Sequence, residues 1–202
     1  MKIYDSQTAP NPRRVRIFLA EKGISVPYEP VDIVKADNRS AEFRRKNPLG
    51  TLPVLELDDG TCIAESVAIC RYFEEVHPNP PLMGTDARDR AVVEMWQRRM
   101  ELELFGPITQ VFRNLHPFFA GRIPQVAEWG EVCRKAAETR LAWLDSVLAE
   151  RQFIAGPRYT IADITALCGI DFGRVSKIRI QPEQTHLARW HAAVSARPSA
   201  QA

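Results

Sequence analysis

The 202-residue chain has no long apolar run. None approaches the roughly twenty residues that cross a bilayer, and Met1 to Asp5 passes directly into charge with no signal-peptide core. A cytoplasmic location and no membrane partner are expected. Cysteine is sparse: Cys62, Cys70, Cys133 and Cys168 are far apart with no C-x-x-C pair, which argues against a zinc site and against a redox dithiol. Cys70 and Cys168 fall in apolar periodic runs and read as inert core residues. Neither sign of charge dominates, since 27 basic and 25 acidic residues are interspersed for a net +2. Such a balance gives no long-range field for nucleic acid, and the run Arg44-Arg45-Lys46 reads as a solvated helix face. No repeat or low-complexity stretch is visible, and no metal is expected.

A hydrophobic fraction of 45% with 26% charged residues is that of a globular protein, and the length suffices for a core without disulfides or metals. Lys2 to Asp5 reads as a strand. A helix opening after Pro10 and Pro12 carries Val15, Phe18 and Leu19 on one face and closes at Gly23. Tyr28 to Ile33, with Pro27 before it and Pro30 inside it, reads as an edge strand. A short helix spans Ala41 to Lys46. Pro53 to Leu57 and Thr61 to Ile63 form a hairpin about Asp58-Asp59-Gly60, and Ser66 begins a helix with Val67, Ile69, Cys70 and Phe73 apolar. The order is βαβαββα. Pro78, Pro80 and Pro81 then interrupt the chain, which sets a boundary between residues 1–82 and 83–202. Beyond it the pattern is helical: one long helix from Asp86 to near Arg113, another with Ala137, Leu141, Leu144 and Leu148 on one stripe, and a third opened by the capping-box spacing of Thr160 and Asp163.

Three segments carry a more specific signal in this order: Asn47-Pro48-Leu49-Gly50-Thr51-Leu52-Pro53-Val54-Leu55, Ala64-Glu65-Ser66-Val67-Ala68-Ile69-Cys70-Arg71-Tyr72 and Thr160-Ile161-Ala162-Asp163-Ile164. With them the chain resembles the cytosolic glutathione transferase superfamily over essentially its whole length. The resemblance implies an α/β thioredoxin-like N-terminal domain that binds glutathione, followed by an all-α domain that contributes the second-substrate site. It further implies a homodimer that conjugates the glutathione thiolate to electrophilic, mostly hydrophobic small molecules. Glutathione is then a co-substrate. The alternatives are a glutathione-dependent peroxidase or reductase, and a non-enzymatic interaction module of the kind found in translation factors.

Residue by residue, the resemblance implies a cis bond at Pro53 that exposes the backbone of Leu52 to the glutathione cysteine. Glu65 and Ser66 have a plain reading, a solvated neighbour and a helix N-cap. They also have a functional one, in which the helix start receives the γ-glutamyl carboxylate while Glu65 pairs with its ammonium. Asn38 and Thr51 stand where related classes have other glutathione contacts. For thiol activation, Ala9 stands where many classes have a serine and Asn11 near where a bacterial class has a cysteine, while Tyr4 reads as a core residue. The run from Tyr4-Asp5-Ser6 to Arg14-Val15-Arg16, with Glu101-Leu102-Glu103-Leu104, is similar to a fungal and bacterial subgroup without a catalytic Tyr, Ser or Cys. There the N-terminus of the first helix stabilises the thiolate, which gives the backbone N–H groups of Asn11 and Arg13 as donors and the Asn11 amide as an auxiliary. Gln110, Arg113, Asn114 and His116 follow the long helix and could assist. The second-substrate pocket is expected at Phe105, Arg113 and His116, among Phe112, Phe118 and Phe119. His77, His186 and His191 are expected to have no chemistry.

Overall fold

Apolar residues at alternating positions build a small two-faced sheet. Four strands, Lys2–Asp5 (β1), Tyr28–Pro30 (β2), Val54–Glu56 (β3) and Cys62–Ala64 (β4), lie in the order β2-β1-β3-β4 in a computed structural model that describes residues 1–202. β2 runs parallel to β1, and the other neighbours are antiparallel. Ile3 pairs with Leu55, which pairs with Ile63, on one face; Tyr4 pairs with Val54, which pairs with Ala64, on the other. Phe43, from the short helix Ala41–Lys46 (numbered α2), packs with Tyr4 and Val54 on that second face. The helices Pro10–Glu21 (α1) and Ser66–Val76 (α3) pack against each other, and α3 also lies against β3 and β4. This alternation of side chains along the strands is what divides the two faces.

Local chemistry sets the ends. α1 starts at Pro10 itself, with Pro12 still in the first turn, where a missing N–H costs nothing because no carbonyl precedes it in the helix. It stops at Gly23, whose φ of 65° lets the N–H of Ile24 turn back to the Leu19 carbonyl. The second strand is shorter than the sequence predicts and ends at Pro30, which has no N–H for a ladder. Ser66 is the first helical residue of α3 rather than its cap. The flanking residue is Glu65, at φ 69° and ψ 117°.

The chain divides into two compact units, Met1–Leu82 with Gln201–Ala202, and Met83–Ala200. The second is all-helical: Ala87–Arg99 (α4), Gly106–Leu115 (α5), Ala127–Leu148 (α6), Ile161–Gly173 (α7) and Thr185–Ser195 (α8). The helix expected from Asp86 to Arg113 is interrupted by a π-helical segment, Met100–Phe105. The reason lies in Gly106-Pro107: Pro107 cannot donate to the Glu103 carbonyl, and the Gly106 N–H reaches back five residues to Glu101 instead. α4 packs on α7, whereas α5 packs on both α6 and α7. Ala137, Leu141, Leu144 and Leu148 are buried on one stripe of α6, as periodicity predicts. α7 is the central helix, with every residue buried except Asp171 and Phe172. Its capping box is formed, the Asp163 carboxylate accepting the Thr160 N–H at 2.9 Å. α8, which the sequence pattern did not reveal, buries only Leu187, Trp190 and Val194. No helix is long and apolar enough to cross a membrane.

Candidate active site

Three chain segments leave the sheet at one edge. β1 ends at Asp5 and leads through Ser6 to Ala9 into α1. Antiparallel to it, β3 begins after Pro53, and Ala64 at the end of β4 pairs with Val54 at the start of β3. Ladder geometry therefore brings the start of α1, the Leu52-Pro53 bend and Glu65-Ser66 to the same end of three adjacent strands. The Leu52-Pro53 peptide is cis, and neither peptide group of Leu52 is engaged by the turn and loop hydrogen bonds of the fold.

At the start of α3 the first helical bond runs from the Ile69 N–H to the Glu65 carbonyl, 3.0 Å. The N–H groups of Ser66, Val67 and Ala68 have no partner within the chain, and they carry the positive end of the helix dipole. Glu65 is exposed beside them, and the buried Ser66 Oγ accepts a hydrogen bond from Arg14 Nη1 at 3.0 Å. This arrangement has the chemistry to receive a carboxylate next to an ammonium.

The loops below it are cross-tied. Asn38 donates through Nδ2 to the Gly50 carbonyl at 2.6 Å, and Asn47 Nδ2 donates to the Thr51 carbonyl and hydroxyl at 2.9 and 2.8 Å. Gly50 stands at φ 62°, and a Cβ there would lie 2.7 Å from the Asn38 carbonyl, so only glycine fits. Asn38 and Thr51 thus hold the loop that leads to Pro53.

At the start of α1 one expectation needs correction. Arg13 donates its N–H to the Ala9 carbonyl at 3.3 Å and Ala9 donates to Ser6 at 3.0 Å, so Arg13 is not a free donor. Pro10 and Pro12 have no N–H, which leaves the exposed Asn11 as the one free backbone donor of that first turn. Tyr4 is 7% exposed, sits edge-on to Phe43 and donates its hydroxyl to Glu56 at 2.7 Å. Lys46 also bonds Glu56, at 2.8 Å. These two contacts, Lys46 foremost, hold the Glu56 carboxyl below its usual range. The Tyr4 hydroxyl is therefore committed to a structural cluster. Burial, with the Glu56 carboxylate adding to it, pushes the half-buried Cys62 thiol up, which is the wrong direction for a nucleophile.

In the helical unit, the Arg113 guanidinium stands 5.2 Å from the Phe119 ring centre and the His116 ring 4.7 Å from that of Phe112, so these two join one aromatic cluster with Phe118 and Phe172. Phe105 does not. It is 4% exposed and packed against Gly169, a core residue rather than a pocket wall. A cavity of about 290 Å³ is lined by His116 together with Leu115, Arg134 and Lys177.

Residues 8–76 match the glutathione S-transferase N-terminal domain family and residues 114–198 the glutathione S-transferase C-terminal domain family. Glutathione S-transferase 2 of Saccharomyces cerevisiae is 38% identical over 98% of this chain and 87% of its own length. The chain belongs to the glutathione S-transferase family. The crystal structure of yeast Gtt2 superposes on this transferase with a TM-score of 0.95, at 38% identity and 100% and 99% coverage of the two chains. A glutathione S-transferase domain-containing protein of Marinobacter aquaeolei VT8 is 44% identical, covers 98% of this chain and 99% of its own, and gives a TM-score of 0.93. The enzyme is a transferase, and glutathione is the substrate of its family. Arg14 and Arg16 support the candidate site from inside the fold, a role that the family resemblance did not assign to them. Arg14 immediately before the apolar run Val15 to Leu19 and Arg16 inside it were the signal that something must pair with them.

Proposed function

We propose that the enzyme conjugates the glutathione thiolate to electrophilic, mostly hydrophobic small molecules, with residues 1–82 binding glutathione and residues 83–202 contributing to the second-substrate site through Arg113 and His116. The observation that carries this reading is the unengaged N-terminus of α3 beside Glu65, on the same sheet edge as the cis bend and the start of α1. A γ-glutamyl group matches it, its carboxylate on the Ser66 hydroxyl and helix N–H groups, its ammonium on Glu65. Leu52 offers its peptide to the cysteine backbone. The sulfur lies at the start of α1, where the Asn11 N–H and the helix dipole favour the thiolate, so a thiol of ordinary pKa near 8.5 ionises at neutral pH. A screen of glutathione consumption with aryl halides, epoxides, peroxides and mixed disulfides tests the reaction type. Consumption with aryl halides or epoxides is expected; turnover confined to peroxides or disulfides would reassign the enzyme as a peroxidase or reductase.

Ser66→Ala and Glu65→Gln should each weaken glutathione binding by about 1–3 kcal/mol, the range for a hydrogen bond to a charged group. Titration calorimetry that returned wild-type affinity for both would remove the site. Tyr4→Phe should leave turnover nearly unchanged, because its hydroxyl serves Glu56, and Asn11→Ala should cost no more than about tenfold, since the backbone donor survives the substitution. A hundredfold loss in Tyr4→Phe at unchanged glutathione affinity would make Tyr4 the activator. A cytoplasmic homodimer is part of the proposal, supported by Val76 on α3 and Met95 on α4, exposed at 49% and 40%. Light scattering at micromolar concentration should give twice the chain mass of 22.9 kDa; a monomer mass would overturn it.

A further inference from the structure

The helix α1 brings a charged side chain to a place where charge is costly. Arg14 is fully buried, among the largest side chains in the protein with no exposure, and its Nη1 donates to Ser66 Oγ across 52 residues of sequence at 3.0 Å. A hydroxyl that accepts from a guanidinium has its lone pair turned inward. Its own proton must then point elsewhere, and no acceptor within the chain takes it. The free N–H groups of Ser66, Val67 and Ala68 stand at the same helix start. Arg14 itself, with no exposed surface, touches nothing that arrives from solvent.

We propose that Arg14 is a positioning residue for glutathione: from inside the fold it fixes the Ser66 hydroxyl with its proton facing the γ-glutamyl α-carboxylate, and so makes the enzyme selective for thiols that carry that carboxylate. This rests on the reading of Glu65 and Ser66 given above. Two effects act together. The guanidinium polarises the hydroxyl it donates to, making its proton a stronger donor, and its positive charge behind the helix start favours an anion there at low local dielectric. A fixed orientation also spares the hydroxyl an ordering cost when substrate binds.

The test compares glutathione with an analogue in which hydrogen replaces the γ-glutamyl α-carboxylate, by titration calorimetry on the full-length protein. Arg14→Met is expected to weaken glutathione binding about tenfold, the effect of one charge-assisted hydrogen bond, while changing analogue binding by less than about twofold. Arg14→Lys, which keeps the charge and most of the reach, should recover part of the loss. In a Ser66→Ala background Arg14→Met should cost clearly less than it does in the wild type, because the hydroxyl is gone and only the effect of the charge remains. Equal weakening toward both ligands, or a full additional loss in the Ser66→Ala background, overturns the proposal while leaving the carboxylate site in place. Wild-type glutathione affinity in Ser66→Ala overturns the proposal, and the same result in Glu65→Gln as well removes the site reading itself. If Arg14→Met does not fold, Arg14→Lys carries the same two-ligand comparison: a loss confined to glutathione supports the proposal, and an equal loss toward both ligands overturns it.

Discussion

Asp163→Ala should lower the unfolding free energy by about 4 kcal/mol, a large share of the stability of an ordinary domain. The carboxylate is fully buried at the start of the central helix, where it accepts from the Ile154 N–H at 3.0 Å, the Trp190 Nε1–H at 2.9 Å and the Thr160 N–H at 2.9 Å, with the Thr160 hydroxyl at 3.2 Å. Alanine leaves three buried N–H donors and the Thr160 hydroxyl without their acceptor and unties α8 and the 154 loop from α7 at once. Burial also pushes this carboxyl from 3.8 up to about 6, against the pull of those donors. Since the folded value is the higher one, the native protein takes up the proton first on acidification. The associated stabilisation is complete below about pH 4 and lost as pH rises through about 6. The gap between wild type and Asp163→Ala in urea denaturation should therefore widen from pH 7 to pH 5, with a slope approaching about 1.4 kcal/mol per pH unit. A loss below about 1 kcal/mol at pH 7 would mean that the cap is replaceable by water.

Asp5→Ala should cost about 3–5 kcal/mol, the range for leaving one partner of a buried ion pair alone. Arg16 Nη1 meets Asp5 Oδ1 at 2.7 Å, with side-chain exposures of 6% and 3%, and Arg16 Nη2 donates to the Gln7 carbonyl at 3.2 Å. The pair therefore joins the end of β1 to α1 and steadies the loop from Ser6 to Ala9, so glutathione turnover should fall along with stability. Replacing both partners, Asp5→Leu with Arg16→Met, should restore most of the stability, because no isolated charge remains, but not the loop. If Asp5→Ala unfolds within about 1 kcal/mol of wild type, water reaches the guanidinium and the pair is not structural.

What was legible in the sequence was whatever depends on near neighbours. β1, α2, the hairpin about Asp58 to Gly60, the α6 stripe and the Thr160 box follow from alternation, helical spacing or turn chemistry within a few residues. The π segment was hidden because its apolar spacing, Met100, Leu104, Ile108 and Val111, also suits a regular helix, and only the lack of a donor at Pro107 marks it. α8 was hidden because three buried residues give a weak signal. At the candidate site, Glu65, Ser66 and Pro53 were singled out through motif resemblance, and the Pro53 bond is cis as the resemblance implies. The Arg14 to Ser66 bond, which spans 52 residues, has no local trace. The free donors of α1 could not be counted until the Ala9 carbonyl was placed, and the burial of Phe105 depends on Gly169, sixty-four positions away in sequence.

Glu65 adopts a backbone conformation that is sterically costly for a residue with a Cβ and free of that cost for glycine. The strain, of order 1–3 kcal/mol, is carried by the residue that places a carboxylate beside the helix start. Selection for folding alone would favour glycine at this position; on the proposed role of Glu65, selection for recognising an ammonium group opposes it. If the proposed role holds, position 65 is a marker for reading other chains of the same architecture: one that keeps an acid there bears a conformational burden for its ligand, and one with glycine there does not.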